Sequence, residues 1–436
     1  MTNARDHISL DEQARAVLRG NDRGGYSVPT DGLYPYQWNW DSGFAAWGFA
    51  QFDLPRAWSE LETLFSGQWP TGMLPHILFH RPDPGYFPGP EVWGTEGLGP
   101  VPSSGISQPP VAATFTRLTY EKDRATGRAH IEALYPKLLA WHRWFMQWRC
   151  HEGMIFVTHP WESGRDNTVD WDGPMAAIDP VGVEPYTRRD TAHVDPHMRP
   201  TKEDYDRYLY LVQRGRDLGW DDAKMADNMP FKVADPTMTF ILLRANRDLL
   251  ALAAELGEDS AEIESWIKVL EEGAERLRNP ASGVFEAIDL NTGAHAGNVT
   301  SAAFLCWYAG IECPVMLGEL MEAFEASQFP VPSQKTSSDR FDAMRYWRGP
   351  TWTMMNAITA LGLIDMGHPD AAEELRIRSA RLLAERGFAE YFNPHTGDPA
   401  GGGTFTWTAA IWLAWASPSA PAYQGTAQAE PQRGEQ

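Results

Sequence analysis

The chain has 436 residues, of which 43% are hydrophobic and 22% are charged, and its formal net charge is −21 at pH 7. This balance is typical of a globular protein with a substantial core, while the acidic surplus excludes the cationic surface that nucleic-acid binding requires. No apolar run reaches transmembrane length and no apolar signal segment follows Met1, so we expect a protein without a membrane partner.

Cysteine and tryptophan usage narrows the class further. The three cysteines, Cys150, Cys306 and Cys313, are an odd number without metal-ligand spacing, which favours a reducing compartment over a disulfide scaffold. We therefore expect a soluble cytoplasmic protein. The 19 tryptophans exceed common usage, and many adjoin Gly, Pro, Asp or His instead of following helical core spacing. We expect some of them to line a pocket.

Amphipathic segments with apolar residues at i, i+3 and i+4 recur along nearly the whole chain and predict a mainly helical protein. The clear candidates are Leu10 to Leu18, Pro55 to Gly67, Ala129 to Trp148, Glu203 to Gly215, Pro236 to Leu256, Ser260 to Leu277, Pro314 to Ser327, Pro350 to Met366, Pro369 to Glu385, and Thr404 to Ala416. Shorter helices near Ser42 and Val111 and around Ala302 bring the count to about a dozen. Paired helices favour a barrel of helical hairpins, although periodicity alone leaves a solenoid open.

Long loops rich in Gly, Pro and Trp separate these helices and carry nearly every chemically suggestive residue. They span residues 20–41, 67–110, 151–201, 328–349 and 387–403. Loops of this length in a compact domain are usually functional. No stretch of the body resembles a linker, so we expect one large domain over residues 1–416. Residues 417–436 are mostly Ala, Pro, Gln and Glu without periodicity, which predicts a disordered tail.

An aromatic loop motif lies directly ahead of a predicted helix. Residues 34–41 contain Tyr34, Trp38, Trp40 and Asp41. The aromatic residues can belong to the core with Asp41 as the helix N-cap, or they can form a saccharide site with stacking faces and a hydroxyl-binding carboxylate. Local sequence supports both interpretations equally.

Two further loop segments offer side chains for the same purpose. Residues 104–110 provide Gln108 as a neutral hydrogen-bonding side chain. Residues 345–352 repeat the aromatic pattern and include Trp347, Gly349 and Trp352. Both segments again allow either a core interpretation or a saccharide site.

Two candidate carboxylates stand in aromatic-rich loops far apart in the chain. Asp166 lies in a turn opened by Trp161. Glu162 and Asp170 compete with it locally, and an Asx turn or helix cap is the structural alternative for any of them. Glu390 follows a predicted helix with aromatic neighbours on both sides, which argues for partial burial over an exposed helix end.

Glycoside hydrolysis requires such a pair. One carboxyl must stay protonated to donate to the departing oxygen, while the other must be ionised to activate water or attack the sugar. Aromatic walls serve both tasks, because they desolvate the acid and offer flat faces to a sugar ring. The motifs of metalloproteases, nucleotide enzymes and serine hydrolases are absent from the sequence, so those classes lose support.

Five segments taken in order resemble glycoside hydrolase family 63, from about Leu33 to Trp415. They are Tyr34 to Asp41, Ser104 to Pro110, Trp161 to Asn167, Tyr346 to Trp352, and Ala389 to Gly397. The similarity is greatest to compact bacterial members that hydrolyse glucosylglycerate or mannosylglycerate. The resemblance implies an all-α fold, an (α/α)6 barrel with long active-site loops, and hydrolysis with inversion of the anomeric centre.

The same resemblance assigns residue roles. Asp166 matches the general acid and Glu390 the general base. The resemblance therefore favours Asp166 over its neighbour Glu162 as the acid. The residues that match the wall around the cleaved sugar are Tyr34, Trp38, Trp40, Asp41, Gln108, Trp161, Trp347, Gly349 and Trp352. Those that match the glycerate side are Tyr86, Arg199 and Tyr205. An arginine suits that side, because a carboxylate in an acidic protein needs a bidentate cation.

We therefore predict an inverting α-glycoside hydrolase that releases glucose, or less favourably mannose, from a small acceptor such as glycerate. Water is the nucleophile, and neither a metal nor an organic cofactor is needed. Thr404 to Thr406 stand where the similar enzymes carry glutamines, which leaves the aglycone open. An α-glucosidase for neutral di- or oligosaccharides is the alternative if Arg199 points away from the pocket. A non-catalytic saccharide-binding barrel is a second alternative, although it would need neither carboxylate.

Overall fold

The computed structural model describes residues 9–188 and 195–425, and α-helices dominate it. The helices are α1 (Leu10–Asn21), α2 (Asn39–Phe49), α3 (Leu54–Ser66), α4 (Pro90–Trp93), α5 (Ala112–Tyr120), α6 (Arg124–Trp148), α7 (Asp172–Ala176), α8 (Lys202–Asp217), α9 (Asp222–Asn228), α10 (Pro236–Leu256), α11 (Ala261–Arg276), α12 (Pro314–Ala326), α13 (Thr353–Asp365), α14 (Pro369–Arg386) and α15 (Thr406–Ile411). Every long helix predicted from the amphipathic pattern is present. The short helices α4, α7 and α9 lie in or beside predicted loops, because they are too brief for a helical period to be read.

Six elements form a closed inner ring: α2, α5, α10, the 3₁₀ segment Ala303–Cys306, α13 and α15. Each packs against the next, and α15 packs against α2 to close the ring. Outside it lie α1, α3, α6, α11, α12 and α14, so that outer and inner elements alternate along the chain. The chain is an (α/α)6 barrel, which confirms the predicted all-α class and excludes a solenoid.

The inner helices α2, α5 and α15 are buried throughout and therefore lack a solvent-exposed face. Every residue of α2 is buried, as are all residues of α13 except the last two. Outer helices such as α3 and α11 bury only one face. A Cβ on Gly48 would lie 2.5 Å from the Cβ of Ala410, and one on Gly362 would lie 2.1 Å from the backbone nitrogen of Tyr308. Side chains at either glycine would push neighbouring elements of the ring apart.

Short antiparallel strands connect the helices. Within the described residues they are β1 (Gln37–Trp38), β2 (Ile77–Leu78), β3 (Cys150–His151), β4 (Met154–Val157), β5 (Val233–Ala234), β6 (Ile288–Asp289), β7 (Ala294–His295), β8 (Tyr391–Phe392) and β9 (Pro399–Ala400). The strands β3 to β7 form one sheet in chain order, while β1 pairs with β2 and β8 with β9. Tyr391 lies opposite Ala400 in the last pair. Strands of two to four residues carry no readable period, so the sequence pattern does not predict them.

A buried ion-pair network lies near the C-terminal ends of α5 and α13. Arg117 Nε is 2.7 Å from Asp248 Oδ1, and Arg244 Nε is 2.9 Å from Asp248 Oδ2. Arg244 also reaches Asp365 at 2.8 Å. The hydroxyl of Tyr423 donates to Asp365 at 3.1 Å and accepts from Arg244 at 2.9 Å. The network joins three elements of the ring and the C-terminal segment.

The predicted disordered tail differs from the structure at its start. Residues 417–425 are described, and Tyr423 ties them to α10 and α13 through the network above. The hydroxyl of Ser417 also bonds to Asp11 Oδ1 at 2.8 Å, and composition could not reveal these anchoring contacts. Residues 426–436 lie outside the described part, so their disorder stays a prediction. In the two described ranges no helix has the length and apolarity needed to cross a membrane.

Candidate active site

A cavity of about 230 Å³ lies at the N-terminal ends of the inner helices α2, α5, α13 and α15. Its wall comes from the loops before these helices and from α8. The predicted residues that line it are Tyr34, Trp38, Trp40, Asp41, Tyr86, Gln108, Trp161, Asp166, Arg199, Tyr205 and Glu390. Further lining residues are His76, Trp93, Tyr208, Tyr346, Phe405 and Trp407. One cavity therefore contains both candidate catalytic carboxylates and most of the predicted sugar-binding residues.

Glu390 is a buried carboxylate with three polar contacts. Only 1% of the surface of Glu390 is exposed to solvent. The hydroxyls of Tyr34 and Tyr346 donate to Oε1 at 3.2 and 3.1 Å, and Arg199 Nη2 lies 3.3 Å from Oε2. Burial raises the pKa of this carboxyl, and the guanidinium and the two hydroxyls counteract only part of that rise. Glu390 is thus desolvated while its ionised form is hydrogen-bonded.

The backbone around Glu390 fixes its side chain. The backbone N–H of Glu390 donates to the carbonyl of Ala400 at 3.1 Å. The backbone carbonyl of Glu390 accepts from the indole N–H of Trp407 at 3.3 Å. A Cβ on Gly401 would lie 2.0 Å from Glu390 Oε2, and Gly401 has a φ of +78°. Both facts require glycine at this position. The pair β8–β9 and the start of α15 therefore set the position of Glu390.

Asp166 lies on a loop that an arginine anchors from behind. The neighbouring Arg165 is fully buried and makes ion pairs with Asp170 at 2.9 Å and with Asp235 at 2.7 Å. Asp235 is the N-cap of α10, so the loop is attached to an inner helix of the barrel. Asp166 itself is partly exposed and lines the cavity.

The local competitors of Asp166 have structural partners instead. Glu162 is buried, accepts a hydrogen bond from the backbone N–H of Thr158 at 2.6 Å, and faces Arg149 at 3.4 Å. Asp170 is held by Arg165, and neither Glu162 nor Asp170 lines the cavity. Over the described ranges, no group of three or more His, Cys, Asp and Glu is placed to hold a metal ion. Of the three carboxylates in this loop, Asp166 is the one on the cavity.

Trp347, Gly349 and Trp352 are not among the residues that line the described cavity, and their contact with the sugar stays a prediction. The two indoles stack at 3.8 Å with an interplanar angle of 5°. Trp352 Nε1 donates to the carbonyl of Tyr346 at 3.2 Å, and the N–H of Trp347 donates to Asn167 Oδ1 at 2.9 Å. A Cβ on Gly349 would lie 2.2 Å from a neighbouring backbone oxygen. Tyr346 faces the cavity, whereas the two tryptophans that follow it pack against Tyr346 and support the wall.

Trp40, Asp41 and Gln108 are held together at the start of α2. Gln108 Oε1 accepts the backbone N–H of Trp40 at 3.2 Å. Gly164, with a φ of +69°, lets the following loop pack on Trp40, since a Cβ there would lie 2.5 Å from the indole. Asp41 is 5% exposed, and burial together with the charge of Glu390 raises its pKa well above the usual range. Asp41 is a third carboxyl in the cavity, and its environment favours the neutral form.

The three residues expected on the aglycone side also line the cavity: Tyr86, Arg199 and Tyr205. Arg199 is 4% exposed, and its Nη1 donates to the hydroxyl of Tyr34 at 2.9 Å. Its guanidinium carbon lies 4.5 Å from the centre of the Tyr346 ring. The cavity therefore contains a buried cation in contact with Glu390.

The predicted site omits several lining residues, among them His76, Tyr208 and Tyr346. Tyr346 belongs to the aromatic segment 345–352, but the tryptophans after it carry the stronger signal. Tyr208 lies three residues after Tyr205 on α8, and this helical spacing could have identified it. His76 stacks on Trp161 at 6.4 Å, and burial lowers its pKa well below the usual range. It is a neutral hydrogen-bonding group that no motif marks.

Known proteins are similar to this sequence over almost its whole length. The family model described as "Mannosylglycerate hydrolase MGH1-like glycoside hydrolase domain" matches residues 34–408. The mannosylglycerate hydrolase of Thermus thermophilus is 45% identical, over 92% of this chain and 99% of its own length. Mannosylglycerate hydrolase MGH1 of Selaginella moellendorffii is 43% identical, over 93% of this chain and 85% of its own length. The glucosylglycerate hydrolase of Mycolicibacterium hassiacum is 34% identical, over 93% and 97%.

Solved structures give the same result. A crystal structure of a family 63 mannosylglycerate hydrolase from Thermus thermophilus, in complex with Tris and D-glycerate, has a TM-score of 0.89 at 45% identity, and the match covers 92% of this chain and 98% of that one. A structure of the mannosylglycerate hydrolase from the same organism in complex with glucose has a TM-score of 0.86. The chain therefore belongs to the mannosylglycerate hydrolase MGH1-like members of glycoside hydrolase family 63 and is a glycoside hydrolase.

Proposed function

We propose that this glycoside hydrolase cleaves α-glycosides of glycerate, with mannosylglycerate as the preferred substrate, and that it inverts the anomeric centre. The observation that carries the proposal is a buried Arg199 in the same aromatic cavity as Asp166 and Glu390. A buried cation beside aromatic rings suits a substrate that joins a sugar to a carboxylate.

The two carboxyl groups divide the chemistry between them. Asp166, in its protonated form, gives its proton to the glycosidic oxygen as the bond from that oxygen to the anomeric carbon breaks. Glu390 takes a proton from water, whose oxygen bonds to the anomeric carbon from the opposite face. The products are glycerate and a sugar of inverted configuration, and proton exchange with solvent restores both carboxyls. Room for the water requires carboxyl groups about 6.5 to 9.5 Å apart.

The surroundings of Glu390 suit a base more than an acid. Tyr34, Tyr346 and Arg199 all donate to its oxygens, and donors of this kind stabilise a carboxylate in its ionised form. The acid, in contrast, must hold its proton until the glycosidic oxygen accepts it. The donors around Glu390 therefore support its assignment as the base, and Asp166 is the acid by its match to the family.

The position of Arg199 also supports one of the predicted alternatives over the other. A neutral-saccharide glucosidase was the alternative if Arg199 pointed away from the pocket, and Arg199 lines the cavity. A binding protein would have no use for two carboxyls, one of them buried at a cost in desolvation. Both observations favour a hydrolase for an acidic aglycone.

The choice of sugar follows the relatives. The sequence alone placed glucose ahead of mannose, but the relatives named mannosylglycerate hydrolases are 43% to 45% identical, against 34% for the one named glucosylglycerate hydrolase. We therefore place mannosylglycerate first and glucosylglycerate second. The cytoplasmic location stays a prediction, supported by three cysteines that form no disulfide.

Product release tests this proposal directly. Mannosylglycerate, glucosylglycerate, kojibiose and an aryl α-glucoside are each offered to the wild type and to Asp166→Ala, Glu390→Ala and the exposed control Glu96→Ala. We expect turnover of both glycerate glycosides, with mannosylglycerate preferred, and a loss of at least about 1,000-fold in kcat for the two cavity variants only. Turnover of the neutral glucosides alone would overturn the aglycone assignment. Activity that survives both cavity substitutions would overturn the catalytic assignment.

A further inference from the structure

We propose that Arg199 moves its charge from Glu390 to the carboxylate of the substrate, so that an acidic aglycone releases the general base for catalysis. This inference rests on the proposed function and adds that recognition of the aglycone and activation of water are one event. It predicts that the acidic group contributes to kcat as well as to binding.

In the structure the oxygens of Glu390 are largely occupied. A carboxylate has about four lone-pair positions. Oε1 accepts from Tyr34 at 3.2 Å and from Tyr346 at 3.1 Å, and Oε2 faces Arg199 Nη2 at 3.3 Å. Gly401 packs against Oε2 closely enough that a Cβ there would be 2.0 Å away. A water that is to lose its proton to Glu390 therefore competes with the guanidinium for Oε2.

The guanidinium of Arg199 does not use all of its hydrogen-bond donors in this arrangement. Its contact with Glu390 is longer than the roughly 2.7 to 2.9 Å of a strong charge-assisted hydrogen bond. Its Nε is buried and makes no hydrogen bond to any described residue. Buried guanidinium nitrogens rarely stay without an acceptor. A carboxylate ligand can accept from two nitrogens of the guanidinium at once, which Glu390 does not do here.

Removal of Arg199 from Glu390 would change the strength of the base. The other groups that contact the carboxylate are the neutral hydroxyls of Tyr34 and Tyr346, and the nearby titratable groups are Asp41 and Tyr391. Across the described residues, Arg199 is the one cation paired with Glu390. When its charge is withdrawn, the proton affinity of Glu390 rises and Oε2 becomes available to water. A neutral aglycone leaves the cation where it is, and the base stays weak.

α-Mannosyl fluoride with added D-glycerate gives a sharp test. Fluoride leaves with little help from an acid, so its release reports on Glu390 and water, and the aglycone side stays open for glycerate. We expect D-glycerate to raise wild-type turnover severalfold, with about tenfold as the upper limit for one pKa unit of added basicity. A wild-type rate that glycerate leaves unchanged or lowers would overturn the proposal.

The Arg199→Met variant separates this role from simple anchoring of the substrate. We expect it to hydrolyse mannosyl fluoride faster than the wild type does without glycerate, because Glu390 is already released, and to show no activation by glycerate. An arginine that only anchors the substrate would leave the basal fluoride rate unchanged, and that result would contradict the proposal. Arg207→Met, which removes an arginine outside the cavity, is the matched control.

A pair of natural-type substrates completes the design and keeps the two proposals distinguishable. Mannosylglycerol differs from mannosylglycerate in lacking the carboxylate. We expect Arg199→Met to lose about 10- to 100-fold in kcat/KM for mannosylglycerate while its kcat for mannosylglycerol rises. Absent turnover of mannosylglycerate by the wild type would refute the proposed function. Normal turnover without glycerate activation would refute only the role of Arg199. If Arg199→Met does not fold, the wild-type activation assay alone decides.

Discussion

Close packing and hydrogen bonds surround the side chain of Glu390. Gly401 leaves no space for a side chain beside Oε2, and the two tyrosine hydroxyls of Tyr34 and Tyr346 fill Oε1. Burial raises the pKa of the carboxyl, whereas Arg199 and the tyrosines lower it. The net effect is a raised pKa, so the carboxylate is a stronger base than that of an exposed glutamate. The basicity of Glu390 is therefore set by its burial and by the side chains that contact it.

The partners of Glu390 could not be predicted from local sequence. Tyr34 is 356 residues away in the chain and Arg199 is 191 residues away. Each was predicted as a pocket residue, but nothing in its own segment shows which carboxylate it meets. Their meeting depends on how the barrel closes. The same reason explains why local sequence does not show that Trp347 and Trp352 stack on each other beside Tyr346.

At the scale of elements, Arg165 anchors the loop of Asp166 to the barrel. Two 3₁₀ turns, Pro160–Ser163 and Val169–Trp171, flank Asp166, and Arg165 between them reaches both Asp170 and the N-cap of α10. A 3₁₀ turn alone is weakly determined, because its hydrogen bonds are poorly aligned. The buried ion pairs supply the rigidity that an acid needs to face the glycosidic oxygen.

We expect Arg165→Lys to lower kcat by about 10- to 100-fold with little change in KM, because lysine cannot reach both carboxylates and the Asp166 loop shifts. Steady-state kinetics on mannosylglycerate at a temperature where circular dichroism shows a folded protein measure this. Arg149→Lys changes another buried arginine, one that is paired with Glu162 and does not adjoin Asp166. Equal kcat losses in the two variants would show that Arg165 has only a structural role.

The helices were predictable and the strands were not, for a physical reason. A helix of three or more turns repeats its apolar face several times, and α10 and α14 begin at the predicted prolines. The strands β8 and β9 have two residues each, so their alternation is never repeated. They nevertheless hold Glu390, which shows that the elements nearest the chemistry can be the least visible in sequence.

At the scale of the molecule, the catalytic cavity and the buried ion-pair network lie in different parts of the barrel. The cavity lies at the N-terminal ends of the inner helices, and the network of Arg117, Asp248, Arg244 and Asp365 lies near the C-terminal ends of two of them. Tyr423 extends the network to the last described residues. Resemblance to family 63 predicted the barrel, whereas residue pattern alone favoured helical hairpins and left their closure open. Closure depends on contacts between α15 and α2, the two ends of the ring.

The network predicts a pH-dependent stability. Burial alone would raise the pKa of Asp248, but Arg244 and Arg117 outweigh it and hold the pKa below its usual value of 3.8. A lowered pKa means that the stabilisation is complete above 3.8 and is lost as the pH falls through the folded-state value. We expect Asp248→Asn to lower the free energy of unfolding by about 3 kcal/mol at pH 7, and the difference from wild type to shrink below pH 4.

Urea denaturation between pH 3 and pH 8 measures this difference. Glu262→Gln, which breaks an ion pair between two half-exposed side chains, should cost less than about 1 kcal/mol at any pH. A gap between Asp248→Asn and wild type that does not change with pH would contradict the assignment of the network as the source of the pH dependence.

The central claim is that Asp166 and Glu390 act as acid and base on opposite faces of an α-glycoside. Proton NMR during the first minutes of mannosylglycerate hydrolysis tests it most directly, before mutarotation mixes the anomers of the released sugar. Attack of water with inversion predicts that β-mannose appears first and that α-mannose follows only at the rate of mutarotation. Initial release of α-mannose would mean a retaining reaction through a covalent intermediate and would contradict the account.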